Sequence, residues 1–347
     1  MKTQWHLASR LQTVVIAALG VVLFSALGLP LPFLFGPMAA CLFAALAGAK
    51  LRGLGQISVA ARTILGVAVG ASISPDLLHQ LPLMAASLAL IPFYIALIAL
   101  IGVPFFSRVC GFDRVTAYYA AMPGGLQDMV IFGQEAGANV RTLSLVHATR
   151  VLIIVTIAPI LLTQLYGVAL NNPIGAPAST IPLQEMGLMI VAALVGWKGG
   201  ERVGLFGASI LGPMIVAAVF SLTDLIHMRP PKETILAAQY FIGMGIGVYY
   251  VGVTLRELRQ VVASGVAFVL LLAVLAAIFT EIVTLSGLAP PVEGFLAFAP
   301  GGQAEMTVLA IVAGADLGFV ITHHLTRITL VILGAPIVAR LFGVKKL

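Results

Sequence analysis

Long, uncharged apolar runs separated by short polar segments dominate the chain. They cover about 11–29, 32–49, 57–74, 82–107 and 142–166 in the first half, and 184–197, 203–221, 234–254, 260–288 and 318–341 in the second. Runs of about 20 apolar residues are typical of transmembrane helices. A further apolar segment in each half, 115–135 and 292–313, is interrupted by Pro-Gly-Gly. Because Pro lacks a backbone donor and Gly relaxes the chain, a broken helix is predicted there.

The two halves are related by an internal duplication. Met122–Met129 reads MPGGLQDM and Ala299–Met306 reads APGGQAEM, 177 positions later. The block HATR at 147–150 matches HLTR at 324–327 at the same offset. We therefore predict a first membrane repeat over 11–167 and a second over 188–343. The linker 168–187 between them is rich in Asn, Pro, Ala and Ser, which is typical of loops.

The distribution of charge decides between two topologies. If each interrupted segment crosses the membrane, there are twelve spans and the halves are parallel; if each turns back as a hairpin, there are ten spans and the halves are inverted. With the N-terminus inside, the inverted arrangement leaves only Arg229 and Lys232 outside. The parallel arrangement moves five other basic residues outside: Arg141, Lys198, Arg202, Arg256 and Arg259. The positive-inside rule favours inversion.

The predicted fold is therefore an all-α polytopic membrane protein. It consists of two inverted repeats of about five transmembrane helices, each with a Pro-Gly-Gly broken helix or re-entrant hairpin, and both termini are cytoplasmic. Composition agrees, because 60% of the 347 residues are hydrophobic and 9% are charged, against about 45–50% and 25% in soluble domains. The net charge of +6 is the loop bias of a membrane protein. We expect membrane lipid as the surroundings and no nucleic-acid partner.

Two carboxylates follow the Pro-Gly-Gly elements at equivalent positions, Asp128 and Glu305. A carboxylate at membrane depth indicates a functional site, although each could instead cap the helix that follows the break. The neighbouring residues add amide groups and exposed backbone N–H groups to the same place: Gly124, Gly125, Gln127, Gly301, Gly302 and Gln303.

Two arginines, Arg150 and Arg327, lie about 13 Å inside their predicted helices, near the middle of the membrane. A buried guanidinium keeps its charge, so each should meet an anion, either the carboxylate of its own half or a solute carboxylate. His147 and His324 lie three residues earlier on the same helix faces; they could relay protons or bind backbone carbonyls. Glu281 has no acidic counterpart in the first half and could bind a cation, or pair with Arg62.

The doubled Pro-Gly-Gly-x-x-acid-Met element and the HATR and HLTR blocks resemble the AbrB family of bacterial membrane proteins. The resemblance covers nearly the whole chain and implies a location in the bacterial inner membrane. That family has been labelled both an ammonia monooxygenase and a regulator of gene expression. An oxygenase needs metal ligands, and the six His and two Cys show no ligand spacing, so we expect no metal site, no cofactor and no enzyme activity.

Inverted halves with broken helices are typical of secondary transporters, whose solute sites form where unwound backbone from the two halves meets. The sequence therefore predicts alternating-access transport of a small, anionic organic solute, coupled to Na⁺ or H⁺; the alternative is a membrane-embedded sensor that regulates gene expression through a partner. The predicted solute-binding residues are Gly124, Gly125, Gln127, Arg150, Gly301, Gly302, Gln303 and Arg327. The predicted ion-coupling residues are Asp128, Glu305, Glu281, His147 and His324. The oligomeric state stays open, with a homodimer as one option.

Overall fold

The computed structural model describes residues 2–29, 31–73, 75–205, 207–341 and 344, and leaves the side chains of 2–7, 76–81, 127 and 304 undescribed. Within these residues the structure is helical, without strands. The first half contains α1 (Lys2–Ala26), α2 (Pro32–Leu46), α3 (Gln56–Gly70), α4 (Pro75–Leu88), α5 (Leu90–Pro104), α6 (Arg114–Ala121), α7 (Leu126–Glu135) and α8 (Val140–Gln164). The second contains α9 (Leu183–Arg202), α10 (Ala208–Leu222), α11 (Lys232–Val248), α12 (Leu255–Glu257), α13 (Ala263–Leu285), α14 (Pro291–Phe298), α15 (Gln303–Ala313) and α16 (Leu317–Leu341).

The apolar runs predicted as spans all lie on helices. In the described part of the chain, five helical segments are long and apolar enough to cross a membrane: Ala8–Ala26, Pro82–Val109, Val140–Gln164, Leu255–Leu285 and Leu317–Leu341. The helices α2, α3 and α10 are apolar but shorter. The all-helical class is confirmed and is compatible with a membrane protein, whereas the number of crossings and the inversion of the halves stay predictions.

Two compact units make up the chain, and each takes residues from both halves. Unit 1 comprises 1–78 and 170–254, and unit 2 comprises 79–169 and 255–347. The boundaries 78/79 and 254/255 lie 176 positions apart, close to the offset of the sequence repeat. Each predicted repeat therefore gives its first helices to unit 1 and its later helices to unit 2. The predicted linker is also shorter in the structure, because its last residues, 183–187, belong to α9.

Glycines hold the helices of unit 1 at close distance. The backbones of Gly20 on α1 and Gly36 on α2 meet so closely that a Cβ on either would overlap the other residue. Gly196 on α9 and Gly212 on α10 meet in the same way. Small residues that let helix backbones approach are typical of packing in membranes.

Two further glycine pairs join the halves within unit 1. Gly66 and Gly70 place α3 against backbone atoms of α10, where a Cβ would overlap the carbonyl groups of Ile210 and Met214. Gly243 and Gly247 place α11 against α2 in the equivalent way. The helices of the two halves are therefore interlocked in this unit, and the glycine faces that the sequence contains serve packing.

We expect Gly243→Ala to destabilise unit 1 and Gly245→Ala, on the same helix, to leave it intact. A Cβ on Gly243 would overlap the carbonyl oxygen of Leu34, and backbone cannot move aside as a side chain can. Overpacking of this kind costs about 1–3 kcal/mol. A Cβ on Gly245 meets nothing within 4 Å, and Ala there gains about 0.5–1 kcal/mol of helix propensity. Thermal unfolding of the two purified variants in detergent measures the difference; equal midpoints would contradict the packing.

Candidate functional site

Both Pro-Gly-Gly elements break a helix in unit 2, as the sequence predicts. The helix α6 ends at Ala121 and α7 begins at Leu126, while α14 ends at Phe298 and α15 begins at Gln303. Gly125 and Gly302 precede the new helices with extended backbone, at φ −63° and ψ 146°, and φ −74° and ψ 151°. Each break therefore brings the negative end of one short helix beside the positive end of the next.

The buried arginines bind the carbonyl groups at these breaks. Arg327 on α16 donates from Nη1 to the carbonyl of Ala299 at 2.8 Å and from Nη2 to that of Gly301 at 2.9 Å. Arg150 on α8 donates to the carbonyls of Met122, at 3.2 Å, and Gly124. The sequence predicted an anion as the partner of each guanidinium, and in the structure these donors go instead to carbonyls that a broken helix leaves unpaired. The unpaired carbonyl groups at a helix C-terminus stabilise a nearby positive charge.

The two histidines bind carbonyls one turn earlier. Nε2 of His147 lies 3.1 Å from the carbonyl of Tyr119, and Nε2 of His324 lies 2.8 Å from that of Leu296. A carbonyl only accepts, so Nε2 carries the hydrogen in both. Nδ1 of His324 accepts from Arg327 Nη2 at 2.9 Å, which requires a neutral imidazole. Of the two roles that the sequence left open, these contacts favour carbonyl binding.

The contacts of the arginines and histidines with backbone carbonyls recur at an offset of 177 residues. Tyr119 and Leu296, Met122 and Ala299, and Gly124 and Gly301 occupy equivalent places. The bond between Arg327 and His324 departs from this symmetry, because Nδ1 of His147 is buried without a hydrogen-bond partner among the described residues. The second break is therefore held by one more bond than the first.

The glycines explain the spacing of the motif. An added Cβ on Gly125 would overlap the carboxylate of Asp128, and one on Gly302 would overlap that of Glu305. Added Cβ atoms on Gly124 and Gly301 would meet the side chains of the following methionines, Met129 and Met306. The first glycine of each motif thus makes room for Met and the second for the acid. Each carboxylate lies over the N-terminus of its helix, where negative charge is favoured.

Several buried donors at the breaks have no hydrogen-bond partner among the described residues. They are Nε of Arg150, Nε of Arg327 and Nε2 of Gln303. The two arginines are 3% exposed, Gln303 is 8% exposed and Glu305 is 9% exposed. The two guanidinium groups interact electrostatically with each other, and Arg150 does so with Glu305. The side chain of Gln127 lies outside the described part of the chain.

The structure does not bring Glu281 to the breaks. Its side chain is exposed on α13 beside Ile278, Ile282 and Leu285. The uncharged stretch 261–280 before it is about as long as the 20 residues that one crossing needs. The alternative partner, Arg62, lies on α3 in unit 1. The role of Glu281 in ion coupling stays a prediction.

Tyr94 is a site residue that the sequence analysis missed. Its hydroxyl donates to the carbonyl of Phe298 at 2.7 Å, at the C-terminus of α14. Its ring packs edge-on against Phe298, with ring centroids 5.5 Å apart, and it interacts electrostatically with Arg150 and Arg327. The available signal was a single hydroxyl within the apolar run of α5, since a buried hydroxyl needs a partner.

Among the described residues, no group of three or more His, Cys, Asp or Glu side chains could hold a metal ion. The fold and the site therefore define a class, helical proteins with membrane-length apolar segments and two broken helices gathered in one compact unit. The chain belongs to the AbrB family: the sequence profile described as transition state regulatory protein AbrB matches residues 33–343.

Two relatives resemble the chain along most of its length. One, named "Uncharacterized protein YhjN", is from Bacillus subtilis (strain 168); it is 27% identical over 97% of this chain and 94% of its own. The other, named "Putative regulator AbrB", is from Escherichia coli (strain K12); it is 27% identical over 91% of each chain. No solved structure matches.

Proposed function

We propose that the chain is an ion-coupled secondary transporter of a small, anionic organic solute in the bacterial inner membrane. The observation that supports this most is the gathering of both broken helices and both buried arginines in unit 2. Broken helices whose ends face a common site are the usual way in which such transporters bind solutes. A regulatory role is named for the Escherichia coli relative and has no further support in the described contacts.

The solute would be held by donors that the fold leaves unused. Nε of Arg150, Nε of Arg327 and the amide of Gln303 are buried donors. Their removal from water costs free energy that only a hydrogen-bonding partner returns. A solute carboxylate accepts several such bonds at once and also suits the positive ends of α7 and α15. The Nη atoms of both arginines would keep the breaks in shape, so each arginine both positions the site and contacts solute.

Coupling would arise from Asp128 and Glu305. Each carboxylate lies at the helix N-terminus where a solute carboxylate would also bind, and like charges repel. A proton or Na⁺ bound at Asp128 or Glu305 removes this repulsion and so favours solute binding. Cation and solute would then travel together as the two units move relative to one another. His147 and His324 would stay neutral and hold the helices that precede the breaks.

Inversion of the repeats has a direct test by cysteine labelling. Single cysteines at Ala138, between α7 and α8, and at Ala315, between α15 and α16, would be introduced after Cys41 and Cys110 are replaced by Ala. In inverted repeats the two loops face opposite sides, so a membrane-impermeant maleimide should label Ala138→Cys from the cytoplasmic side only and Ala315→Cys from the outside only. Labelling of both from one side would overturn inversion.

Transport itself is tested with purified protein in liposomes. Uptake of radiolabelled acetate, succinate, citrate and glutamate would be measured under an inward Na⁺ gradient, an inward proton gradient and no gradient. We expect at least one of these carboxylates to accumulate only when a gradient is present. Protein-free liposomes are the negative control. The packing-neutral variant Gly245→Ala is the control that should behave like wild type. Absence of gradient-driven accumulation for all four carboxylates would contradict the proposal.

A further inference from the structure

We propose that Arg256 and Arg259 form a binding site for the headgroup of an anionic phospholipid at one end of the long helical segment Leu255–Leu285. The two arginines line a surface depression of about 590 Å³ together with Leu255 and Gln260. Lipid binding at this place is independent of the proposed transport.

The depression carries net positive charge. Its segment contains one carboxylate, Glu257, which accepts a hydrogen bond from Arg141 Nε at 3.0 Å and is thereby neutralised. Among the residues that the structure describes, neither Arg256 nor Arg259 forms an ion pair. Both are exposed, and both line the same depression. One guanidinium group can donate two parallel hydrogen bonds to two oxygens of a phosphate. A phosphodiester, which has two such oxygens, therefore suits these arginines.

The depth of the site also fits a headgroup. If the uncharged stretch 261–280 occupies the hydrocarbon core, its rise of about 1.5 Å per residue fills the ~30 Å thickness. Arg256, Arg259 and Gln260 then lie just outside the core, at headgroup level. Leu255, 63% exposed, lies further from the core than the arginines.

A continuous apolar surface runs along the same helix away from the arginines. Its exposed large side chains are Val266, Leu270, Leu271, Val274, Ile278 and Ile282, which recur at helical spacing on one face. This surface suits an acyl chain, and the depression at its end suits the phosphate of the same molecule. Free inorganic phosphate would use only the arginines and would have no use for the apolar surface.

The arginine pair belongs to the second repeat. The equivalent positions of the first repeat, 177 residues earlier, hold His79 and Pro82. The site is therefore not part of the symmetric machinery of the breaks, and its removal should leave that machinery intact.

The test is native mass spectrometry of the full-length protein released from nanodiscs that contain equal amounts of phosphatidylglycerol and phosphatidylcholine. We expect wild-type protein to retain phosphatidylglycerol about ten-fold more than phosphatidylcholine, because each arginine near the headgroups adds substantially to anionic-lipid affinity. The variant Arg256→Gln/Arg259→Gln should lose this preference. The matched variant Arg10→Gln/Arg202→Gln, which removes two exposed arginines elsewhere, should keep it.

Three results would overturn the proposal. Equal retention of the two lipids by wild-type protein would show that no anionic site exists, and an unchanged preference in Arg256→Gln/Arg259→Gln would place it elsewhere. Loss of bound phosphatidylglycerol on addition of millimolar inorganic phosphate, at unchanged ionic strength, would show that the arginines recognise free phosphate and not a lipid. Circular dichroism and thermal unfolding of the variants exclude loss of fold as the cause.

Discussion

Replacing Arg327 by Met is expected to lower stability by at least about 3 kcal/mol. The guanidinium satisfies the carbonyls of Ala299 and Gly301 and Nδ1 of His324. Each buried acceptor left without a donor costs about 1–3 kcal/mol. Arg150→Met removes bonds to two carbonyls, so its expected loss is smaller, about 2 kcal/mol or more. Thermal and denaturant unfolding of the two purified variants measures which of them loses more stability.

Two control variants accompany this prediction. One removes an arginine elsewhere in the chain, and the other keeps a positive charge at position 327. Arg202→Met removes an exposed arginine of α9 and should change stability by less than about 0.5 kcal/mol. Arg327→Lys keeps the charge but lacks the fork that reaches two carbonyls at once, so partial recovery is expected. Wild-type stability in Arg327→Met would show that the break does not depend on the guanidinium.

The double variant Glu305→Gln/Arg327→Gln separates two explanations for the buried charge. If the arginine were only the partner of a carboxylate, removal of both would restore stability. In the structure the arginine holds backbone carbonyls, which remain in the double variant. We therefore expect it to be no more stable than Arg327→Gln alone, and full recovery would contradict the carbonyl contacts as the main role.

Replacing Gly302 by Ala is expected to lower solute uptake at least ten-fold while leaving the protein folded. The backbone at Gly302, with φ −74° and ψ 151°, suits Ala without strain. Because Ala restricts the unfolded chain more than Gly does, the substitution by itself raises the free energy of unfolding by about 0.4–1 kcal/mol. The added Cβ would nonetheless occupy the place of the Glu305 carboxylate. A flexible side chain can turn away, so the carboxylate leaves the helix N-terminus and coupling is lost. Gly125→Ala should displace Asp128 in the same way.

Uptake of the carboxylate found active in liposomes should fall at least ten-fold in Gly302→Ala, with an unfolding midpoint within a few degrees of wild type. The matched control is Gly334→Ala on α16, where a Cβ meets nothing within 4 Å; it should transport normally. Gly301→Val, which crowds the Met306 side chain, is expected to lose both uptake and some stability. Normal gradient-driven uptake by Gly302→Ala would show that the position of the carboxylate does not matter for transport.

Much of the fold was predictable because its signals are local. Apolar runs set the helices, and the chemistry of Pro and Gly set the breaks between α6 and α7 and between α14 and α15. The duplication and the AbrB family follow from the motif itself. The residue spacing of the motif also has a local cause, because its two glycines make room for the acid and the methionine that follow at fixed spacing.

The partners of the site residues were not predictable in the same way. A lone Arg in an apolar run indicates that its guanidinium group needs a hydrogen-bond acceptor, but backbone carbonyls have no signature in the sequence. Carboxylates do, and the sequence analysis therefore considered Asp128, Glu305 and a solute as partners and not the carbonyls of Ala299 and Gly301. Tyr94 was missed for the same reason, because its acceptor is the carbonyl of Phe298.

By itself, the sequence determined the helical class, the duplication, the two breaks and the family, all of which depend on neighbouring residues or on a repeated pattern. Only the tertiary structure decided that each half divides between two units, that Arg150 and Arg327 bind the ends of broken helices, and that Glu281 lies exposed on α13. These features depend on which segments meet in space. Close approach of Gly66 and Gly70 to α10, or of an arginine to a carbonyl 26 residues away, is fixed by packing and not by residue order.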